Sequence, residues 1–201
     1  MSLTDAPVAL IIFAGTIIIS LYALYKDNSL IYKWVLHPWS VYHEQKYYQI
    51  LTSGIIHGDL AHLMFNMLTF FFFAFNLEAL IGSFEFLIIY LFSLIVSDIP
   101  TIIRNKDNPD YRSLGASGAI SGVLFSSILF FPTSNIYIFF IPIGIPAPLF
   151  GVLYLAYCYW AARKSQSHIN HDAHFWGAAA GVVITIILVP GVVPYFLEKV
   201  F

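Results

Sequence analysis

The chain has 201 residues, of which 59% are hydrophobic and only 10% charged, with a formal net charge of −2. Soluble domains carry about 25% charged residues, so this chain cannot cover a water-facing surface, and its mean hydropathy of +0.79 makes a bilayer its solvent. The charge balance argues against a nucleic-acid partner, and the single cysteine, Cys158, excludes an internal disulfide and a cysteine-rich metal site.

A spanning helix takes about 20 mostly apolar residues. Residues 8–25 are the first candidate and carry no charge. The segment lacks the basic start of a signal peptide and is read as a retained helix. Residues 26–58 mix Trp34, Trp39, Tyr42, Tyr47 and Tyr48 with Lys33, His37, His43, Glu44 and Lys46. Rings beside charges suit the membrane interface, which predicts a structured first loop embedded in one leaflet. Residues 60–81 form the second span, with Gly82 and Ser83 as a tight turn. Residues 84–103 form the third, weakened near its end by Pro100. The polar run 104–113 reads as a solvent loop. Residues 115–131 form a short fourth span, and a short helix starting below the surface leaves room for a water-filled cavity. Pro132, Pro142, Pro146 and Pro148 punctuate the connection to a fifth span over 149–162. A second polar loop over 163–172 precedes the sixth span, 173–189, which Pro190 and Gly191 end. No internal repeat is visible.

Polar groups inside a membrane cost several kcal/mol each unless paired or hydrated, so His62, Asn66, Ser117 and His174 need an account. Ser117 opens the fourth span within Gly115-Ala116-Ser117-Gly118. A serine hydroxyl becomes a useful nucleophile when a base takes its proton, and histidine is the usual base. His174 opens the sixth span at a comparable depth. Gly118 and Gly122 on one helix, and Gly177 and Gly181 on the other, form small-xxx-small faces that let helices approach closely. If those faces pack together, Ser117 and His174 meet. His62 and Asn66 lie four apart on one face of the second span. An amide and a ring N–H can both donate to a developing oxyanion. Taken singly, each feature has a plainer reading: a serine bonded to its own helix backbone, glycines that only pack, a histidine that anchors at the interface, a polar pair that bonds neighbouring helices. The argument rests on their occurring together.

Together these residues resemble the rhomboid family in its minimal six-helix bacterial or archaeal form. The resemblance runs from about residue 45 to residue 183. It is carried by His57-Gly58-Asp59-Leu60-Ala61-His62-Leu63-Met64-Phe65-Asn66, by Glu78, by Gly115-Ala116-Ser117-Gly118, and by His174 followed by Gly177 and Gly181. It implies an all-α polytopic membrane protein: one rhomboid-like transmembrane domain over 1–201, with six spans and a membrane-embedded first loop. It further implies a serine endopeptidase that cleaves transmembrane helices of membrane-protein substrates. Ser117 would be nucleophile and His174 general base, a dyad without an acid. Asn66, His62 and the Ser117 backbone N–H, beside Gly115, would form the oxyanion site. Glu78 would bond helix ends, with Gly118, Gly177 and Gly181 as structural support. No metal or organic cofactor is implied. The expected surroundings are lipid and membrane-protein substrates in a prokaryotic inner membrane. The alternative is a catalytically inactive relative that binds membrane-protein clients.

Two positions depart from the family pattern. Where the family commonly has an aromatic residue four after the nucleophile, this chain has Ser121, so another ring must support His174 or the base is held less rigidly. The Trp-Arg pair of the family's first loop is replaced by Tyr48-Gln49. Asp172, near His174, is read as a loop residue and not as a third triad member. Of the nine Lys and Arg residues, all but Lys199 fall at the end of the bundle that carries the site. The positive-inside rule then faces that end to the cytoplasm, whereas the resemblance implies a site open to the outside.

Overall fold

Glu78 and the chain start illustrate how this bundle satisfies its polar groups without water. The first helix, α1 (Pro7–Tyr25), opens with proline at its first turn and has no side-chain cap of its own. Its orphan amides are met from the second span instead: Val8 N donates to Glu78 Oε1 at 3.0 Å and Ala9 N to Glu78 Oε2 at 2.6 Å. Ser83 Oγ donates to the same carboxyl group at 2.6 Å. A buried carboxyl thus joins the start of α1 to the turn at Gly82. Glu78→Ala is expected to lower unfolding free energy by about 2–4 kcal/mol, since it orphans buried amides, and a drop in the thermal midpoint in detergent is the readout.

The computed structural model describes residues 5–138, 142–164 and 169–201. After α1 the first loop holds three short helices, α2 (Ser29–Trp34), α3 (Pro38–His43) and α4 (Gln49–Thr52). Gln49, which stands in the place of the family's arginine, is 3% exposed and ties the loop to itself. It accepts from His37 N at 3.3 Å and donates to Lys33 O at 3.4 Å. His37 in turn bonds Pro109 O through Nε2 at 2.9 Å, and Leu36 bridges Ser113. The first loop is therefore fixed to the segment that precedes Ser117.

Next come α5 (Leu60–Ile81) and α6 (Ser83–Asn105). The side chain of Asp59 caps α5 by accepting from His62 N at 2.8 Å. Gly82, at φ +94°, makes the turn between the two helices. Helix α6 runs through Pro100, where a weakened end was expected. Its packing on both neighbouring helices outweighs the one missing amide. Then follow α7 (Ser117–Phe130), a ribbon of β1 (Asn135–Tyr137) and β2 (Gly144–Pro146), α8 (Ala147–Ala161), α9 (His171–Leu188) and α10 (Val192–Val200).

Among the described residues, four helices (α1, α5, α6 and α9) are long and apolar enough to cross a membrane, and α7 and α8 are shorter apolar helices. The fold is a mostly helical membrane bundle, with one small ribbon inside the connection that Pro132, Pro142 and Pro146 punctuate. Boundaries moved. The fourth helix starts at Ser117 and not at 115, because Gly115 is held out of the helix at φ +110°. The sixth starts at His171 and not at 173, because Asn170 Oδ1 accepts from Ala173 N at 3.1 Å and caps it. Asp172 is consequently a first-turn helix residue, not a loop residue. Its carboxylate pairs with Arg104 at the end of α6. Residues 165–168 of the expected second polar loop, and 139–141 of the proline-marked connection, lie outside the described residues.

Helix α7 is the centre, buried from Gly118 to Ile128 between α5, α6 and α9. A Cβ placed on Gly177 of α9 would lie 2.8 Å from the Gly118 carbonyl carbon and 3.0 Å from its Cα. On the other side of α7, a Cβ at Gly118 would lie 2.6 Å from Ser97 Cβ of α6. The backbones meet directly, which is what the paired glycine faces permit. Helix α8 is peripheral and presents Leu149, Val152, Leu153 and Tyr157 outward.

Candidate active site

Close packing of α7 on α9 sets the first turn of one beside the first turn of the other. Ser117 is the first residue of α7, and no side chain caps that helix. The first-turn amides of a helix have no partner within it and carry a partial positive charge. They lie at the rim of a cavity of about 890 Å³ whose lining includes Ser117, Gly115, Asn66, His62 and His174. Every residue assigned to catalysis or to oxyanion binding therefore borders one space. Ser117, His62 and His174 are half-buried, and Asn66 is 7% exposed. Ser117 and His174 share this cavity without a direct hydrogen bond among the described residues. Catalytic contacts are often long in free enzymes and tighten with substrate.

Gly115 fits between the other parts. Its N–H donates to Ser53 O at 2.9 Å. A Cβ there would stand 2.6 Å from His62 Cε1, 2.7 Å from His62 Nε2 and 3.5 Å from Asn66 Nδ2. Positive φ and the two side chains both require glycine. Glu78 lies away from the cavity, at the start of α1, and Gly181 meets Gly122 deeper in the bundle.

Two supporting residues had no distinct signal in the sequence. His57, fully buried, stands behind Asn66: Asn66 Nδ2 approaches His57 Nε2 at 2.9 Å, and His57 Nδ1 lies 3.0 Å from Ser20 Oγ. Ser20 Oγ donates to Ile55 O at 2.8 Å. One assignment satisfies the whole chain: Asn66 donates to Nε2, Nδ1–H donates to Ser20, and Ser20 donates to Ile55. Burial, more than the His62 ring beside it, holds the His57 pKa well below the usual imidazole range, which keeps Nε2 an acceptor. One Asn66 N–H is thereby anchored and the other is left for the cavity. His57 belongs to the His57–Asn66 string, but its spacing from Asn66 matches no helical face.

The second is Tyr154 of α8. Its ring lies 6.4 Å from the His174 ring at 16° between planes, an offset stack. Its hydroxyl bonds Ser121 Oγ at 3.0 Å. The ring absent from position 121 is thus supplied by another helix, and Ser121 holds its far end. Ser121 is 4% exposed and points to Tyr154. Tyr154→Leu is expected to reduce kcat by about tenfold to a hundredfold with KM little changed, a loss of orientation. Tyr154→Phe, which keeps the ring, is expected to restore most of it.

A mostly helical bundle thus gathers a serine, a histidine and amide donors around one cavity, the residue types that acyl transfer uses. The Rhomboid domain family matches residues 44–191, about three quarters of the chain. The chain is 31% identical over 144 residues to the rhomboid YdcA of Bacillus subtilis, which covers 72% of this chain and 68% of that protein. It is 30% identical over 156 residues to the rhomboid protease GluP of Bacillus subtilis, covering 78% of this chain and 27% of GluP. It is also 30% identical over 142 residues to the mitochondrial Rhomboid protein 1 of Saccharomyces cerevisiae, covering 67% of this chain and 40% of that protein. The chain belongs to the rhomboid family of intramembrane serine proteases and is an integral, multi-pass membrane protein. It spans less than half the length of the latter two relatives.

Proposed function

We propose that this chain is an endopeptidase that cleaves transmembrane helices of membrane-protein substrates with a Ser117–His174 dyad. The observation that carries the reading is the shared cavity, which Ser117, His174, His62, Asn66 and Gly115 all border. Helix α7 has 14 residues, roughly 21 Å at 1.5 Å per residue, against a hydrocarbon core of about 30 Å. A nucleophile on its first turn therefore sits below the surface with water above it. A substrate helix unwinds locally, since an intact helix shields its carbonyls. Ser117 Oγ attacks the carbonyl carbon while His174 takes the hydroxyl proton. The oxyanion is held by the free Asn66 N–H, by His62 and by the Ser117 N–H. His174 returns the proton to the leaving amine, and water then releases the acyl group by the same route. We place the protein in a prokaryotic inner membrane, six helices crossing, with the cavity open to the outside as the family resemblance implies, against the positive-inside count of Lys and Arg.

Retention of both Ser117 and His174 weighs against an inactive client-binding relative. The deciding experiment is cleavage of a tagged transmembrane substrate in liposomes by wild type, Ser117→Ala, His174→Ala and Ser121→Ala. Loss in the first two variants with activity kept in the third supports the dyad.

A further inference from the structure

Among the described residues, one group of three metal-ligating side chains converges: Cys158 of α8 with His171 and His174 of α9. One ligand atom from each lies within 4.8 Å of the others. The arrangement is built by two helix faces. Cys158 stands one turn beyond Tyr154, and His171 and His174 stand three apart, so each pair shares a face. Cys158 is fully buried and His171 is 6% exposed, while His174 borders the cavity. The His171 and His174 rings lie 5.9 Å apart at 82°, edge to face.

We infer that Cys158, His171 and His174 form a binding site for a soft cation, Cu⁺ or Zn²⁺, whose occupancy silences the protease. Thiolate and imidazole together select soft and borderline ions over Mg²⁺ or Ca²⁺, which take oxygen. Metal–sulfur bonds of about 2.3 Å and metal–nitrogen bonds of about 2.0–2.1 Å set ligand atoms roughly 3.3–3.8 Å apart. The observed spacing closes to that by a shift of about 1 Å, within reach of side-chain rotation. Binding releases the thiol proton to water and changes no oxidation state. One thiolate with two neutral imidazoles leaves Cu⁺ neutral overall and Zn²⁺ with one positive charge. A buried site disfavours net charge, so Cu⁺ binds more tightly than Zn²⁺. The ion enters through the cavity that His174 borders.

The inhibitory step rests on His174 being the base. Neutral imidazole has a single ring lone pair, its other nitrogen carrying the proton. An ion on the nitrogen that faces Ser117 occupies that lone pair. An ion on the other nitrogen leaves a protonated nitrogen facing Ser117. On either nitrogen, the ring cannot accept the serine proton.

The test uses the purified full chain in detergent, wild type and the variants Cys158→Ala and His171→Gln. Cu⁺ binding is measured anaerobically by competition with a chromophoric Cu⁺ chelator. Zn²⁺ is added in a second arm and Mg²⁺ as the hard-ion control. Cleavage of a transmembrane substrate is followed in parallel. The expected result is one Cu⁺ per chain, at least about tenfold weaker binding in both variants, inhibition of wild type by Cu⁺ and Zn²⁺ but not Mg²⁺, and metal-resistant cleavage by Cys158→Ala. Absence of stoichiometric binding to wild type overturns the site whatever the activity. Equal binding and inhibition in wild type and both variants overturns it too. Binding that leaves cleavage unchanged overturns the silencing, and metal-free His174→Ala then locates the failure: an active variant places it in the dyad, an inactive one in the effect of the ion.

Discussion

Ser117→Ala, reconstituted in liposomes, is expected to cleave a transmembrane substrate at least about 10⁴-fold more slowly than wild type. Removing a hydrolase nucleophile takes away the covalent route, and what remains comes from binding and oxyanion donors alone. The variant is a clean one. Ser117 is a half-buried first residue of α7 whose side chain caps nothing, so alanine leaves the helix intact and the thermal midpoint close to wild type. A fluorophosphonate probe should label wild type and leave Ser117→Ala unlabelled. His174→Ala should match it, because nucleophile and base act as one unit and their losses do not add. Near-wild-type turnover by Ser117→Ala would remove the mechanism, and Ser121 would be the next hydroxyl to examine, one turn along α7.

Asn66→Ala should lower kcat by about 10²–10³-fold with a small change in KM. That is the usual cost of deleting one fixed donor to an oxyanion. The prediction depends on rigidity as much as on the amide itself. Asn66 is held through His57, Ser20 and Ile55 O, a chain that spans the first loop and α1. A donor fixed before the reaction needs no reorganisation at the transition state. Asn66→Asp, which accepts but does not donate when ionised, should be as damaging as alanine. His57→Ala frees the amide without deleting it and should fall between wild type and Asn66→Ala. Wild-type kcat in Asn66→Ala would show that His62 and the first-turn amides of α7 suffice.

Much of the fold is legible in the sequence because lipid imposes a simple rule. Backbone groups must be satisfied within the segment, so long apolar runs become helices. Runs such as 60–81 coincide with their helix because Asp59 and Gly82 mark the ends with a cap and a turn. Less legible were ends set by contact. Pro100 argues locally for a stop, yet α6 continues to Asn105. Nothing in the run 132–148 announces the ribbon that joins Asn135 to Pro146.

The sequence by itself determined the solvent, the helical segments and the residue types able to perform acyl transfer: a serine among small residues, histidines, and an amide one turn from a histidine. Composition and spacing along one chain carry that information, since a helix turns a spacing of three or four into a shared face. The tertiary structure decided which groups hold the others in place. Tyr154 reaches His174 from α8, and Ser121 reaches Tyr154 from α7. Asn66 is anchored through α1, and Asp172 pairs with Arg104 of α6. Those choices depend on how helices distant in sequence are rotated against each other. Backbone contact at Gly118, Gly122, Gly177 and Gly181 sets that rotation for α7 and α9, and no spacing within a single helix encodes it.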